Sequence, residues 1–415
     1  MAAGSDGGGG KVACAAWIRR REEKATRVFA AYGRAGQGAA APAVEVLGFD
    51  PKDCSLSSEP LARAVLGEEA SDAPRGIAVH PSGDELVCAT AKGCRLFKLI
   101  FEELTVQLIP RDSPALESVG PQKCLAFSTD GGKFAIGGED GHLRIFHWPS
   151  MNVLLDEPKA HKSFRDMDIS LDSEFLVSTS TDGSARIWKI DEGIPLVNLT
   201  RSSDEKIECC CFSRDGMKPF LFCTVAKGIL STEVEKSMYA YNFNRYILII
   251  GTGNKVVTVV WSISDWSRIG YKRLLGKPIS VLSVSMDGKY LALGSHDGDF
   301  CAVDVKKMEV SHWSKKAHLG SPVSLIEFCP TERVVISISN QWGAELTKLN
   351  VPADWKEWQV WLILLALFLA SAILFYVFYE HSDSFWNFPM GRHQPAKPWS
   401  VLTESPPVPE DQNPW

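Results

Sequence analysis

The chain has 415 residues, with 44 Lys plus Arg against 50 Asp plus Glu, a formal charge of −6, 45% apolar and 23% charged residues. A chain of that composition can bury a large core. No basic stripe is interleaved with aromatics, which argues against a nucleic-acid partner.

Residues 1–11 are glycine-rich and expected to be flexible. The short apolar patch from Lys11 to Ala16 runs into Arg19-Arg20-Arg21 and lacks the apolar stretch of a signal peptide, so the domain that follows is expected to fold in the cytosol. Strand candidates come first at Val12 to Ile18, Arg27 to Tyr32 and Ala43 to Phe49. Six anchors then recur: Val79-His80-Pro81, Phe127-Ser128-Thr129, Ile169-Ser170-Leu171, Phe212-Ser213-Arg214, Val284-Ser285-Met286 and Phe328-Cys329-Pro330. They lie 48, 42, 43, 72 and 44 residues apart. A period near 40 to 45 residues with strand-turn-strand content is the mark of propeller blades. Apolar alternation in Lys133-Phe134-Ala135-Ile136 and Lys289-Tyr290-Leu291-Ala292-Leu293 has period two, which excludes a helical solenoid. The pattern predicts an all-β, seven-bladed propeller over residues 12–352. Its seventh blade would be completed by the three N-terminal strands and a last strand near Glu345 to Val351, a closure that hides sheet edges.

The best-formed unit runs from His161 to Lys189 and resembles a WD repeat: Ala160-His161, a Ser/Thr strand over Ser178 to Thr181, Asp182-Gly183 in a tight turn, and Ile187-Trp188. The resemblance implies a buried hydrogen-bond relay through His161, Ser178 or Ser180, Asp182 and Trp188, each group needing a partner once desolvated. Asp140-Gly141 followed by Phe146, and Asp297-Gly298 followed by Val303, keep fragments of it, while Ala317-His318 lacks a matching aspartate. His80, His161 and His318 read as equivalent repeat positions with structural hydrogen bonds. Lys162, Ser163 and Arg165, just past His161, are the candidate partner-binding loop on a face that propellers commonly present.

The 72-residue interval carries an excess that falls over residues 229–254, too short for a blade, and is read as an insertion outside the ring. Its Arg245 to Gly251 run is either an extra strand or part of that insertion. Gly251-Thr252-Gly253 lacks the third glycine of a nucleotide fingerprint, since Val256 stands there. Ser295-His296-Asp297 is a turn and no triad, because adjacent strand residues face opposite ways. Glu22-Glu23 and Glu68-Glu69 read as solvated charge. The 11 cysteines form no Cys-x-x-Cys pair and include the consecutive Cys209-Cys210-Cys211, as expected in a reducing compartment without zinc or disulfides. No catalytic, cofactor-binding or metal-binding residue is assigned. On a cytosolic domain the sequon Asn198-Leu199-Thr200 would carry no glycan.

Val360 to Phe378 is an uncharged apolar run of 19 residues. At 1.5 Å per residue it covers about 28 Å as a helix, close to the roughly 27 Å of an endoplasmic reticulum bilayer core. A single transmembrane helix is expected over residues 358–379, with Trp355, Trp358 and Trp361 at one interface and Tyr376 and Tyr379 at the other. Lys348 and Lys356 balance Arg392 and Lys397, so charge does not set orientation. Residues 380–415, with 7 prolines, are expected to be a mostly disordered lumenal tail, interrupted by an aromatic stretch around Trp386.

A cytosolic WD-type propeller followed by one membrane span resembles the endoplasmic reticulum exchange factors for the Sar-type small GTPase, which start coat protein complex II vesicles. Ala15-Ala16-Trp17-Ile18-Arg19-Arg20, the blade from Asp156 through Trp188, Trp355-Lys356-Glu357-Trp358-Gln359 and Ser382-Asp383-Ser384-Phe385-Trp386 look closer still to a plant branch of that family, the phosphate transporter traffic facilitators. Exchange factors of this group carry a four-glycine run followed by an asparagine in the first blade, which binds a monovalent cation and approaches the GTPase. Here the equivalent stretch is Ala31 to Ala43, with the run broken and Pro42-Ala43 where the asparagine belongs. The resemblance thus implies an anchored protein of the endoplasmic reticulum membrane. Its partner would be a multispanning phosphate transporter, and exchange activity toward the GTPase, or contact with the vesicle coat, would be the alternative.

Overall fold

The computed structural model describes residues 10–21, 26–38, 40–102, 105–200, 205–216, 219–227, 255–351 and 357–380. They fall into two units that divide after Val351.

In the first unit the described residues form seven antiparallel sheets in chain order. Each sheet is one blade, and the inner strands are Val12–Arg21, Gly76–Val79, Gln122–Phe127, Phe164–Ile169, Glu205–Phe212, Ile279–Val284 and Val323–Phe328. Every inner strand touches the next, and the seventh touches the first, so the sheets close into a propeller. The apolar residue of each of the six sequence anchors is the last residue of an inner strand.

Packing explains why the second strand of a blade reads as a continuous run. Tyr290–Ser295 and Val334–Ser339 are buried along their whole length because neighbouring blades cover both faces. Fourth strands such as Asn152–Glu157 lie at the rim, mostly exposed. The turn after the inner strand is standardised. Ser128, Ser170 and Ser285 each accept the N–H five residues on, from Lys133, Phe175 and Tyr290, at 2.9 Å, and each donates to the aspartate two residues on. Gly131 and Gly288 supply the left-handed backbone these turns need, and Ser173 adopts it in blade 4 at φ 61°.

Closure differs from the expected shared blade. The last strand, Gly343–Lys348, pairs inside its own three-stranded sheet, and the N-terminal strands form a separate first blade. The seam is closed by side chains: Trp17 donates its backbone N–H to Glu327 Oε2 at 3.1 Å and its indole N–H to Glu327 O at 3.2 Å. Val12, Trp17, Ala30 and Tyr32 of blade 1 share one apolar cluster with Val334, Ile336 and Ile338 of blade 7. Burial of that size holds a seam without interstrand hydrogen bonds.

Blade 5 pairs Phe220–Lys227 with Lys255–Ser262 without interruption, from Phe220 opposite Ser262 to Lys227 opposite Lys255. Residues 228–254, which include the 229–254 excess and Arg245 to Gly251, connect these two strands in the sequence and lie outside the described residues.

In the second unit, Glu357–Glu380 is a helix. Trp358–Tyr379 are 22 residues long and apolar enough to cross a membrane, about 33 Å at helical rise. Its Trp358, Trp361, Tyr376 and Tyr379 side chains are exposed. Trp355, the tail 381–415 with Trp386, and residues 1–9 lie outside the described residues.

Candidate partner-binding site

The face that carries the loops between blades brings together most of the residues singled out above. In blade 4 the loop before Phe164–Ile169 delivers His161, whose Nε2 meets Ser178 Oγ at 2.7 Å. Trp188, on the third strand Ala185–Lys189, donates its indole N–H to the same Ser178 oxygen at 2.8 Å. Asp182 does not reach the histidine; it accepts the Ser184 N–H at 2.8 Å, and Ser184 Oγ lies 3.4 Å from His161 Nδ1. Ser180 accepts from the Asp182 N–H instead of joining the chain of side chains. Burial and the nearby Arg186 charge push the His161 imidazole down to about 4, so it is neutral at physiological pH.

Blade 7 repeats half of this arrangement, with His318 Nε2 2.8 Å from Ser337 Oγ. His80 does not belong to the series. It sits in the turn after the inner strand of blade 2, on the opposite face, and bonds Ser82 Oγ at 2.8 Å and Gly131 O at 3.1 Å. The error arises because an x-His-Pro anchor and an Ala-His loop look alike when only spacing is compared.

Of the candidate loop residues, Lys162 is exposed. Ser163 accepts from Lys123 Nζ at 3.0 Å. Arg165 is not in the loop; it lies on the inner strand and pairs with Glu208 of blade 5 at 3.0 Å. Two acids beside it, missed by sequence reasoning, do similar work. Asp166 accepts the Cys210 N–H at 3.0 Å and Asp168 the Phe212 N–H at 2.8 Å, so blade 4 side chains cap blade 5 backbone. Burial pushes Asp166 up to about 6 and Glu327 up to about 7, with the backbone N–H each accepts pulling part of the way back. Alternating acids on an inner strand are the only sequence signal for such bridges, and it is shared with solvated strands. All 11 cysteines are free thiols, and burial holds Cys209, Cys210 and Cys211 well above the usual thiol range.

The first-blade loop between Thr26–Arg34 and Ala43–Asp50 closes on itself. Gln37 and Ala40 exchange both backbone hydrogen bonds at 3.1 Å, Lys11 O accepts the Ala35 N–H at 2.8 Å, and Pro42 O accepts the Leu66 N–H at 2.8 Å. Arg34 donates to Gly10 O at 2.9 Å and pairs with the buried Glu45. Three carbonyls of the described loop, those of Gln37, Ala40 and Pro42, are thereby engaged, and the Arg34 guanidinium, paired with Glu45, stands beside it.

A model for the WD domain, G-beta repeat matches residues 118–147 and 152–189, which span blades 3 and 4. SEC12-like protein 1 of Arabidopsis thaliana is 47% identical over 98% of this chain and 96% of its own length. SEC12-like protein 2 of the same plant is 34% identical over 72% of this chain and 70% of its own. The guanine nucleotide-exchange factor SEC12 of Rattus norvegicus is 23% identical over 66% of this chain, which covers 59% of the rat protein.

Proposed function

The chain belongs to the family of SEC12-like proteins, and from that premise we propose that it is a single-pass protein of the endoplasmic reticulum membrane that assists export of a multispanning phosphate transporter without acting as an exchange factor. The propeller faces the cytosol and the residues after the helix face the lumen. The observation that supports the non-catalytic part is the first-blade loop: the carbonyls of Gln37, Ala40 and Pro42 are engaged in internal hydrogen bonds, and Arg34 ties Gly10 to Glu45 beside them. What remains is a rigid wheel with loops on one face, suited to holding a partner and not to chemistry.

A second reading, exchange on a Sar-type GTPase, is favoured by the likeness to the rat factor. A fluorescent-nucleotide release assay with the full chain in detergent micelles separates the two. Release from the GTPase at the spontaneous rate is expected; acceleration of many fold overturns the non-catalytic reading. Co-purification with a phosphate transporter, and retention of that transporter in the endoplasmic reticulum when the chain is removed, test the export role.

A further inference from the structure

Four of the propeller's tryptophans, Trp17, Trp148, Trp188 and Trp261, are buried, whereas Trp342 is 58% and Trp313 43% exposed. Trp342 is nonetheless fixed. Its backbone N–H donates to Ser339 Oγ at 3.1 Å and its indole N–H to Leu319 O at 2.9 Å, which ties the loop between the second and third strands of blade 7 to the loop that enters the blade. The entering loop is equally constrained. His318 donates its N–H to Gly298 O at 3.0 Å and its ring meets Ser337, while Ser321 N–H reaches His318 O at 3.0 Å. Between these ties Leu319 projects outward, 54% exposed. Lys316 is held in the left-handed region at φ 57°, a conformation that costs a non-glycine residue energy and persists only where surrounding contacts impose it. Its N–H is clamped by the buried Asp299 at 2.7 Å, and that carboxylate also takes Lys277.

The charge on this platform is one-sided. Lys315 lies over the Trp313 ring at 5.8 Å and helps hold the Asp299 carboxyl below its usual range, Lys316 is exposed beside it, and neither ammonium has an ion-pair partner within 4.0 Å among the described residues. Asp297 and Asp299, the nearest acids of blade 6, are both paired with Lys277.

We propose that Trp342, Leu319 and Trp313, flanked by Lys315 and Lys316, form a docking platform for an acidic protein segment carrying an apolar anchor. Rigid aromatic area is what interface hot spots use, because little side-chain entropy is left to lose on binding, and the two unpaired ammonium groups select carboxylates over lysines on the incoming segment. The platform does not depend on the export role: a transporter that still co-purifies with a Trp342→Ala chain would leave that role standing and remove this surface from it.

The test uses the full chain in detergent micelles and two short fluorescein-labelled peptides, one with Leu-Phe flanked by aspartates, the other with lysines in place of the aspartates. The acidic peptide is expected to bind, and Trp342→Ala and, separately, Lys315→Glu should each weaken it roughly tenfold with the thermal midpoint unchanged. Lys315→Glu changes only the contact with the ring below it and the electrostatic pull on Asp299, and it leaves the hydrogen bonds of Trp342 in place, so it reports on binding even if Trp342→Ala loosens the loop. Absence of acidic-peptide binding, equal binding of the two peptides, or undiminished binding by Lys315→Glu overturns the proposal.

Discussion

Blades 4 and 7 begin alike and end differently. Each receives a histidine from the entering loop onto a serine of its second strand, at 2.7 Å in blade 4 and 2.8 Å in blade 7. In blade 4 the serine is closed off by Trp188; in blade 7 the cross-strand position equivalent to Trp188 is Thr347, whose hydroxyl is buried without a partner among the described residues, as are His318 Nδ1 and Ser321 Oγ. Blade 7 also has three strands where blade 4 has four. Both pair their strands in the same antiparallel order. The comparison teaches that apolar alternation builds a blade, while the relay fastens the loop above it.

The largest expected effect is therefore in blade 4. Trp188→Ala removes a fully buried indole and a relay donor and should cost about 3–5 kcal/mol in denaturant unfolding. A loss below about 1 kcal/mol would mean that the blade does not depend on its aromatic closure. Ser178→Ala leaves the buried Trp188 indole N–H without its acceptor and His161 Nε2 without its partner and should cost about 1–3 kcal/mol, more than Ser337→Ala, which strands His318 alone. Equal losses would show that the relay is no stronger than its fragment.

Acidity sharpens the comparison by splitting the groups in sign. His161 sits near 4 in the fold against 6.5 unfolded, so its stabilisation is whole above pH 6.5 and drains away as pH falls through about 4. Asp166 and Glu327 behave oppositely. They hold their protons more tightly folded, near 6 and 7 against 3.8 and 4.5, so their contribution is complete at low pH and is lost as pH rises through those values. Glu327→Gln should remove the loss of stability as pH rises from 4.5 through about 7, and His161→Gln the loss as pH falls from 6.5 through about 4, both read as the unfolding midpoint against pH. Unchanged profiles would place both groups in water. The smallest effect is expected from replacing residues 228–254 by an Asn-Gly turn: Lys227 and Lys255 are already paired, so the thermal midpoint should move by only a few degrees. Collapse of the fold would make the insertion part of the blade.

The periodicity of the anchors made six blades legible, because in each of them the inner strand ends in an apolar residue before the turn and spacing counts such events, and the strand candidates before the first anchor supplied the seventh. The apolar helix was legible for the same reason: length and composition suffice to match a bilayer. Less of the site could be read. His161, Ser178 and Trp188 carry a recognisable pattern, but Arg165 was placed in a loop and His80 in the wrong turn, since a one-dimensional spacing does not say on which face of the wheel a residue emerges.

What the sequence determined by itself is what local chemistry repeats: strand alternation, serine-aspartate turns, glycines at left-handed positions, and one long apolar helix. The tertiary structure alone decided how the ring closes, which acids cap a neighbouring blade, that Arg34 ties Gly10 to Glu45 beside the first-blade loop, and that Trp342 faces outward while Trp188 is sealed in. Each of these depends on groups brought together from distant parts of the chain, such as Trp17 and Glu327, which only the closed circle makes neighbours.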